Sequence, residues 1–232
     1  MLETLEDSGV LPLLEMLGRS GARPHVCAGA VRDVYFCLER DGRKIKPRDI
    51  DVVTFSIRQE RLNEIAVSCG ATANRYGGYS FSSSNGPSID VWTAESTCGV
   101  VAWGAAPTLR NVLRSFVLNL NAVAFDFTTS RFFDWGCVRA IRQSRLAFVD
   151  DVLMHDQDIF AAKALISATR FQLAPTHGVV RLVKLYSVDS TIRHELRKTR
   201  TRLCPTLNVR SLRENFLSHS GRARKWVSKN SI

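Results

Sequence analysis

The stretch Arg48-Asp49-Ile50-Asp51-Val52-Val53-Thr54-Phe55 sets two carboxylates two positions apart at the head of an apolar run. The run is rich in β-branched residues and predicts a buried strand. Side chains at i and i+2 leave a strand from the same face, so Asp49 and Asp51 project together. Like charges that close repel, and one carboxyl is driven toward its protonated form. A divalent cation removes the conflict. Mg²⁺ takes hard oxygen ligands, typically one or two carboxylates plus substrate phosphates. A third acid, Asp90 in Ser88-Ile89-Asp90-Val91-Trp92, falls on what reads as a neighbouring hairpin strand. Three acids converging on one sheet edge describe a two-metal phosphoryl-transfer site. In that reading Asp49 and Asp51 hold the metal that carries a nucleoside triphosphate. Asp90 helps hold the second metal and accepts the proton of an attacking hydroxyl. Taken alone, Asp-Ile-Asp is a pattern common by chance, and it reads as a solvent-facing strand edge.

Upstream lies Ala28-Gly29-Ala30-Val31-Arg32-Asp33, with a glycine where a strand turns into a helix. Gly29 lets the backbone approach a phosphate closely, and the helix start offers unpaired N–H groups. Arg32 either faces phosphate or pairs with an acid in the core. An ordinary strand-turn-helix corner is the competing reading.

The chain has 232 residues, enough for one large domain or a core domain with an appendage. No run reaches the roughly 18 apolar residues of a membrane span. The start, MLETLEDSGV, is acidic and lacks the basic region of a signal peptide. Six scattered cysteines form no CxxC pair, so the composition predicts neither disulfides nor a zinc knuckle and fits a reducing cytoplasm. The formal net charge of +10 is uneven: from Arg170 onward 14 Lys and Arg face 3 Asp and Glu. A basic segment of this kind points to a polyanion, usually nucleic acid. Arg193, Arg197, Lys198, Arg200 and Arg202 are the candidate contacts, suited to phosphate more than to base readout.

Hydrophobic spacing predicts helices over 10–20, 31–42, 57–70 and 108–118, and strands over 25–30, 50–56 and 120–127. Residues 74–94 read as a hairpin whose Tyr76-Gly77-Gly78-Tyr79 opening marks a bulge or a close backbone approach to substrate. From about Asp150 the pattern is helical, with Ile159, Ala162, Leu165, Ile166 and Thr169 predicted on one face. The economical fold is α+β: a small mixed sheet backed by helices over 1–150, then a basic helical region over 151–232. Trp92 reads as core packing or a base-stacking ring. Trp103, Trp135 and Trp226 carry no assignable role. The five histidines show no metal spacing and serve no serine or cysteine nucleophile motif.

Together, Ala28–Asp33 and Arg48–Thr54 resemble the head-domain signature of the DNA polymerase β nucleotidyltransferase superfamily. Its branch of bacterial poly(A) polymerases and CCA-adding enzymes carries Gly-Gly-x-Val-Arg-Asp, a metal-binding Asp-x-Asp and a later acid on a hairpin strand, here Asp90. Asn121-Ala122-Val123-Ala124-Phe125-Asp126 is similar to a further stretch of that branch, and Phe132–Gly136 and Ala168–Phe171 follow in order. The resemblance implies a nucleotidyltransferase head with Mg²⁺ or Mn²⁺ on Asp49, Asp51 and Asp90. It implies nucleotide contacts from Ala28, Gly29, Arg32, Asp33 and Arg48, and an RNA acceptor, tRNA-like in kind. The family's first glycine is Ala28 here. The arginine and aspartate that precede its Asn-Ala stretch are Phe116 and Val117, with Arg110 and Arg114 nearby. Ala161 and Ala164 stand where its nucleotide-reading aspartate and arginine would align. The head chemistry is therefore expected without protein-templated choice of C and A. Transfer to a protein or small-molecule acceptor, and RNA binding without catalysis, are the alternatives.

Overall fold

A computed structural model describes residues 1–40, 47–74, 76–82, 86–149, 157–185 and Phe216. By compactness the chain divides into two units, one of residues 1–116 and 120–137, the other of 117–119 and 138–232. The boundary predicted at 150/151 falls outside the described residues.

The first unit opens with helices α1 (Leu2–Asp7) and α2 (Leu11–Arg19), then strand β1 (Arg23–Cys27) and helix α3 (Gly29–Arg40). Strand β2 (Asp49–Phe55) leads to α4 (Gln59–Ser68) and to β3 (Thr72–Ala73), β4 (Tyr79–Phe81) and β5 (Ser88–Thr93). Helices α5 (Cys98–Trp103) and α6 (Leu109–Arg114) and the antiparallel pair β6 (Val123–Asp126) and β7 (Arg131–Asp134) complete it. The seven strands form one mixed sheet in the order β3-β4-β5-β2-β1-β6-β7. Only β2 and β5 run parallel; the connection between them carries α4 and the β3–β4 hairpin, as a parallel pair requires a crossover.

Alternation along β2 explains how this sheet is used. Ile50 and Val52 are fully buried, while Asp49 and Asp51 on the other face are partly exposed. On the Ile50 face, α3 packs against β1, β2 and β6, and α4 against β4 and β5. The Asp51 face has two halves. Farther along, Cys27, Val53 and Ala124 form a core with Val100 of α5 and with Val112 and Leu113 of α6; Phe55, Trp92 and Phe133 pack against it. Of its two sequence readings, Trp92 takes core packing, and its indole N–H donates to Thr97 Oγ1 at 3.0 Å. The carboxylates occupy the other half.

Gly78 makes a close approach to the neighbouring strand β5. A Cβ there would stand 2.6 Å from the Val91 carbonyl oxygen and 2.9 Å from Trp92 Cβ. The obstacle is backbone of a central sheet pair and cannot swing aside. Gly78→Ala is therefore expected to cost about 1–3 kcal/mol, read as a lower urea midpoint.

The second unit carries α7, which starts at the unit border (Cys137–Arg142), β8 (Arg145–Leu146), α8 (Gln157–Arg170), β9 (Ala174–Pro175) and α9 (His177–Leu185). Strand β8 pairs in parallel with β9, and β9 interrupts the region from about Asp150 onward that the sequence predicts as helical. Asn119 ties the unit's first residues to Ala147: its N–H donates to the Ala147 carbonyl at 2.9 Å and its Oδ1 accepts the Ala147 N–H at 3.0 Å. The buried positions of α8 are Ala161, Ala162, Ala164, Leu165 and Ala168; of the predicted face Ala162 and Leu165 are buried, while Ile159, Ile166 and Thr169 are partly exposed. Alanines are small enough to lie against α9 without a gap, so they win the inner face from the bulkier isoleucines, which are partly exposed.

Candidate active site

Strand register brings the acids together. Asp51 pairs with Asp90 across the parallel β2–β5 ladder, and Asp49 pairs with Ser88 one step on. By alternation Asp49, Asp51, Ser88 and Asp90 share the sheet face that α5 and α6 leave uncovered at this end. Asp51 also lies opposite Cys27 of β1, whose thiol is pushed well up by burial first and by the Asp51 charge second. Burial likewise pushes Cys137 up to about 12. Both are thus neutral thiols and not nucleophiles. The cysteines among the described residues form no disulfide with one another.

Each outer acid is held by a neighbour. Arg48 Nε donates to Asp49 Oδ2 at 3.0 Å, with Arg48 Nη2 on the same oxygen. Ser80, opposite Asp90 on β4, donates its hydroxyl to Asp90 Oδ1. Ser80 was not singled out from the sequence. The signal was present: in Tyr79-Ser80-Phe81 the serine is the small polar residue between two aromatics, on the face of its hairpin partner. Three half-buried carboxylates on one face offer only hard oxygens, the donor set Mg²⁺ or Mn²⁺ takes. Among the described residues no three His, Cys, Asp or Glu side chains stand close enough together to form a ready metal cluster.

The corner before α3 closes the site on a second side. Ala28 adopts the left-handed conformation, φ 50°, between β1 and α3. Its N–H donates to the Val123 carbonyl at 2.9 Å and its carbonyl accepts the Arg32 N–H at 2.8 Å. That conformation costs an L-residue roughly 1–2 kcal/mol. Glycine's greater freedom in the unfolded chain offsets about 0.4–1 kcal/mol of what it would recover. Ala28→Gly is therefore expected to stabilise the protein by about 0.5 kcal/mol, seen as a small rise in the denaturation midpoint.

Arg32 takes the ion pair of its two readings. Its Nε donates to Asp33 Oδ1 at 2.7 Å and its Nη1 to Asn121 Oδ1 at 2.6 Å, with both charged side chains about nine-tenths buried. The same guanidinium borders the acids. A Cβ placed on Gly29 would lie 3.7 Å from Arg32 Nη2 and 3.9 Å from Asp49 Oδ1. Glycine thus leaves open a small cradle between Arg32, Asp49 and the first turn of α3. Asn121, which sequence reasoning placed in a motif without a role, fixes Arg32 from the chain entering β6. The candidate contacts Arg193, Arg197, Lys198, Arg200 and Arg202 lie outside the described residues.

At the far end of β6, Asp126 is fully buried. It accepts the Thr128 and Thr129 N–H groups at 2.9 and 3.2 Å, the Thr129 hydroxyl at 2.8 Å and Arg23 Nη2 at 3.2 Å, and stands 3.6 Å from His25 Nε2. Burial opposes its charge, but these hydrogen bonds and His25 outweigh it and hold the carboxyl below its usual range. His25 is pushed down by burial, against the Arg23 carbonyl and Asp126, which favour its cation. Both folded values are depressed, so the stability they carry is complete above the unfolded values and is lost as pH falls. Thermal midpoints are expected to fall below about pH 6.5, the usual histidine value, with a second decline in the carboxylate range. His25→Gln should flatten the upper part of that curve.

No family sequence pattern matches the chain, and no curated protein matches it. Solved structures do. A CCA-adding enzyme in complex with ATP superimposes with TM-score 0.64 at 18% identity, over 94% of this chain and 55% of that one. The fold is that of the CCA-adding enzymes. The Thermotoga maritima CCA-adding enzyme complexed with tRNA gives TM-score 0.62 at 19% identity, over 94% and 54% of the two chains. A tRNA nucleotidyltransferase with primer tRNA and an ATP analogue gives 0.53 at 17%, over 78% and 50%. The chain spans about half the length of these proteins. The α+β class with a mixed sheet expected from the element pattern, and the head fold expected from the resemblance, are thereby shown at the level of the CCA-adding fold. No helix among the described residues is long and apolar enough to cross a membrane.

Proposed function

We propose that this chain is a metal-dependent nucleotidyltransferase that moves a nucleoside monophosphate from a triphosphate to a hydroxyl at an RNA 3′ end. The observation that carries the reading is the β2–β5 register, which sets Asp51 beside Asp90 with Asp49 two residues on. The fold shared with proteins solved with ATP, CTP and tRNA supports it.

Asp49, Asp51 and Asp90 would hold Mg²⁺ or Mn²⁺, which supplies charge neutralisation for the triphosphate and the attacking oxygen. Gly29 and the unpaired N–H groups at the start of α3 receive phosphate oxygens. Arg32, clamped by Asp33 and Asn121, presents a fixed positive edge toward the same cradle. Asp33 acts through Arg32 and is a positioning residue. Arg48 stands half exposed beside Asp49, within reach of an incoming phosphate. Asp90 takes the proton of the attacking hydroxyl as its oxygen bonds to the α-phosphorus and pyrophosphate departs. Ser80 steadies Asp90 for that transfer. The basic residues between Arg193 and Arg202 would hold the acceptor's phosphates. Ala161 and Ala164 are fully buried alanines, so the base of the nucleotide is not read there.

The test is extension of a short RNA with each labelled triphosphate. Acceptor ending in a 3′-hydroxyl should gain label, and the same RNA ending in a 3′-deoxy sugar should not. Equal labelling of both ends would contradict an attacking 3′-hydroxyl.

A further inference from the structure

Helix α6 carries two arginine–tryptophan stacks on its outer side. The Arg110 guanidinium lies 5.0 Å from the Trp135 ring centre, and that of Arg114 lies 5.8 Å from Trp103. Arg110 and Arg114 are one turn apart, so Trp135, Arg110, Arg114 and Trp103 form one strip. Trp135 follows β7, where its backbone N–H donates to the Ala122 carbonyl at 2.8 Å, and 40% of its surface is exposed. Buried indole is ordinary; an indole held by an arginine and left two-fifths in water is an offered surface. The segment that carries both arginines holds no Asp or Glu between Glu95 and Asp126. Asp134, the acid on β7, points by alternation to the opposite face from Phe133 and α6.

We propose that this strip is a stacking surface for single-stranded nucleic acid, with bases on Trp135 and Trp103 and phosphates on Arg110 and Arg114. Aromatic rings interleaved with arginines suit that ligand because every base has a stacking face and every linkage a negative charge. A duplex hides its bases and has nothing to place on the rings. An acidic peptide would use the arginines and leave the indoles idle. The choice of RNA as the strand rests on the function proposed above; the stacking surface itself does not.

The test is fluorescence anisotropy of a labelled ten-nucleotide single-stranded RNA with the full chain, without nucleotide. Trp135→Ala and Arg110→Ala should each weaken binding by about 5- to 100-fold. Trp135→Phe should retain most of it. Tryptophan fluorescence should be quenched on binding, less so in Trp135→Ala, and a blunt duplex should bind without sensitivity to Trp135→Ala. Unchanged affinity in Trp135→Ala and Arg110→Glu, with unchanged thermal midpoints, overturns the proposal and leaves the strip to another class of partner. Asp51→Ala should bind the strand normally. Loss of nucleotidyl transfer in every assay with Trp135-dependent binding intact would therefore sink only the proposed function, and the reverse pattern only this one.

Discussion

Asp51→Ala is expected to abolish nucleotidyl transfer while leaving the protein folded. Asp51 is the central acid: it neighbours Asp90 across the ladder and Asp49 along the strand. Removing it deletes an oxygen ligand and splits the acid group in two. Charge stabilisation of the reacting phosphate by a bound cation is worth several kcal/mol, and each 1.4 kcal/mol is tenfold in rate. A loss of about a thousandfold or more in kcat is the expected size. Stability should hold or rise, because like charges on one face repel when no cation is added. Asp49→Ala should behave similarly, whereas Ser80→Ala should cost only about tenfold, since it steadies Asp90 without touching phosphate. A thermal midpoint at or above wild type with transfer lost separates a chemical role from a structural one.

Asp33→Ala is expected to produce the largest loss of stability. Arg32 and Asp33 are 9% and 8% exposed. Breaking a buried pair from one side strands the other charge, typically at 3–5 kcal/mol. The Asn121 carbonyl oxygen remains on Arg32, so the expected cost is about 3 kcal/mol. Replacing both charges by apolar groups of similar size removes the stranded charge. Arg32→Met with Asp33→Leu should therefore recover more than half of the lost stability in chemical denaturation. Transfer should stay low in the double variant, because the positive edge beside Gly29 is gone. Recovery of both stability and transfer would remove Arg32 from the site.

Most of the candidate site was legible because strand alternation is a strict rule. A period of two in Arg48–Phe55 decides that Asp49 and Asp51 share a face, and the structure adds only the register that brings Asp90 beside Asp51. That register was not legible. It depends on a parallel crossover through α4 and β3–β4, and nothing local in Ser88–Thr93 announces its partner. The corner at Ala28 was half legible: the turn was predicted, but an alanine conceals a left-handed backbone that a glycine would have revealed. The inner face of α8 was half legible: Ala162 and Leu165 are buried as expected, but periodicity does not choose between the flanking isoleucines and the alanines Ala161, Ala164 and Ala168, which take the rest of it. The stacks on α6 were invisible, since Trp103 and Trp135 lie 32 positions apart and meet one helix only in the fold. Short elements such as α5 and the β8–β9 pair exist through packing and carry too few residues to show a period.

The central claim is that these carboxylates perform nucleotidyl transfer. The most direct measurement incubates the protein, Mg²⁺ and each α-labelled triphosphate with total cellular RNA and protein, beside the Asp49→Ala/Asp51→Ala variant. The account predicts label at RNA 3′ ends with the wild type and none with the variant. Label that persists in the variant, or that enters protein and not RNA, would contradict it.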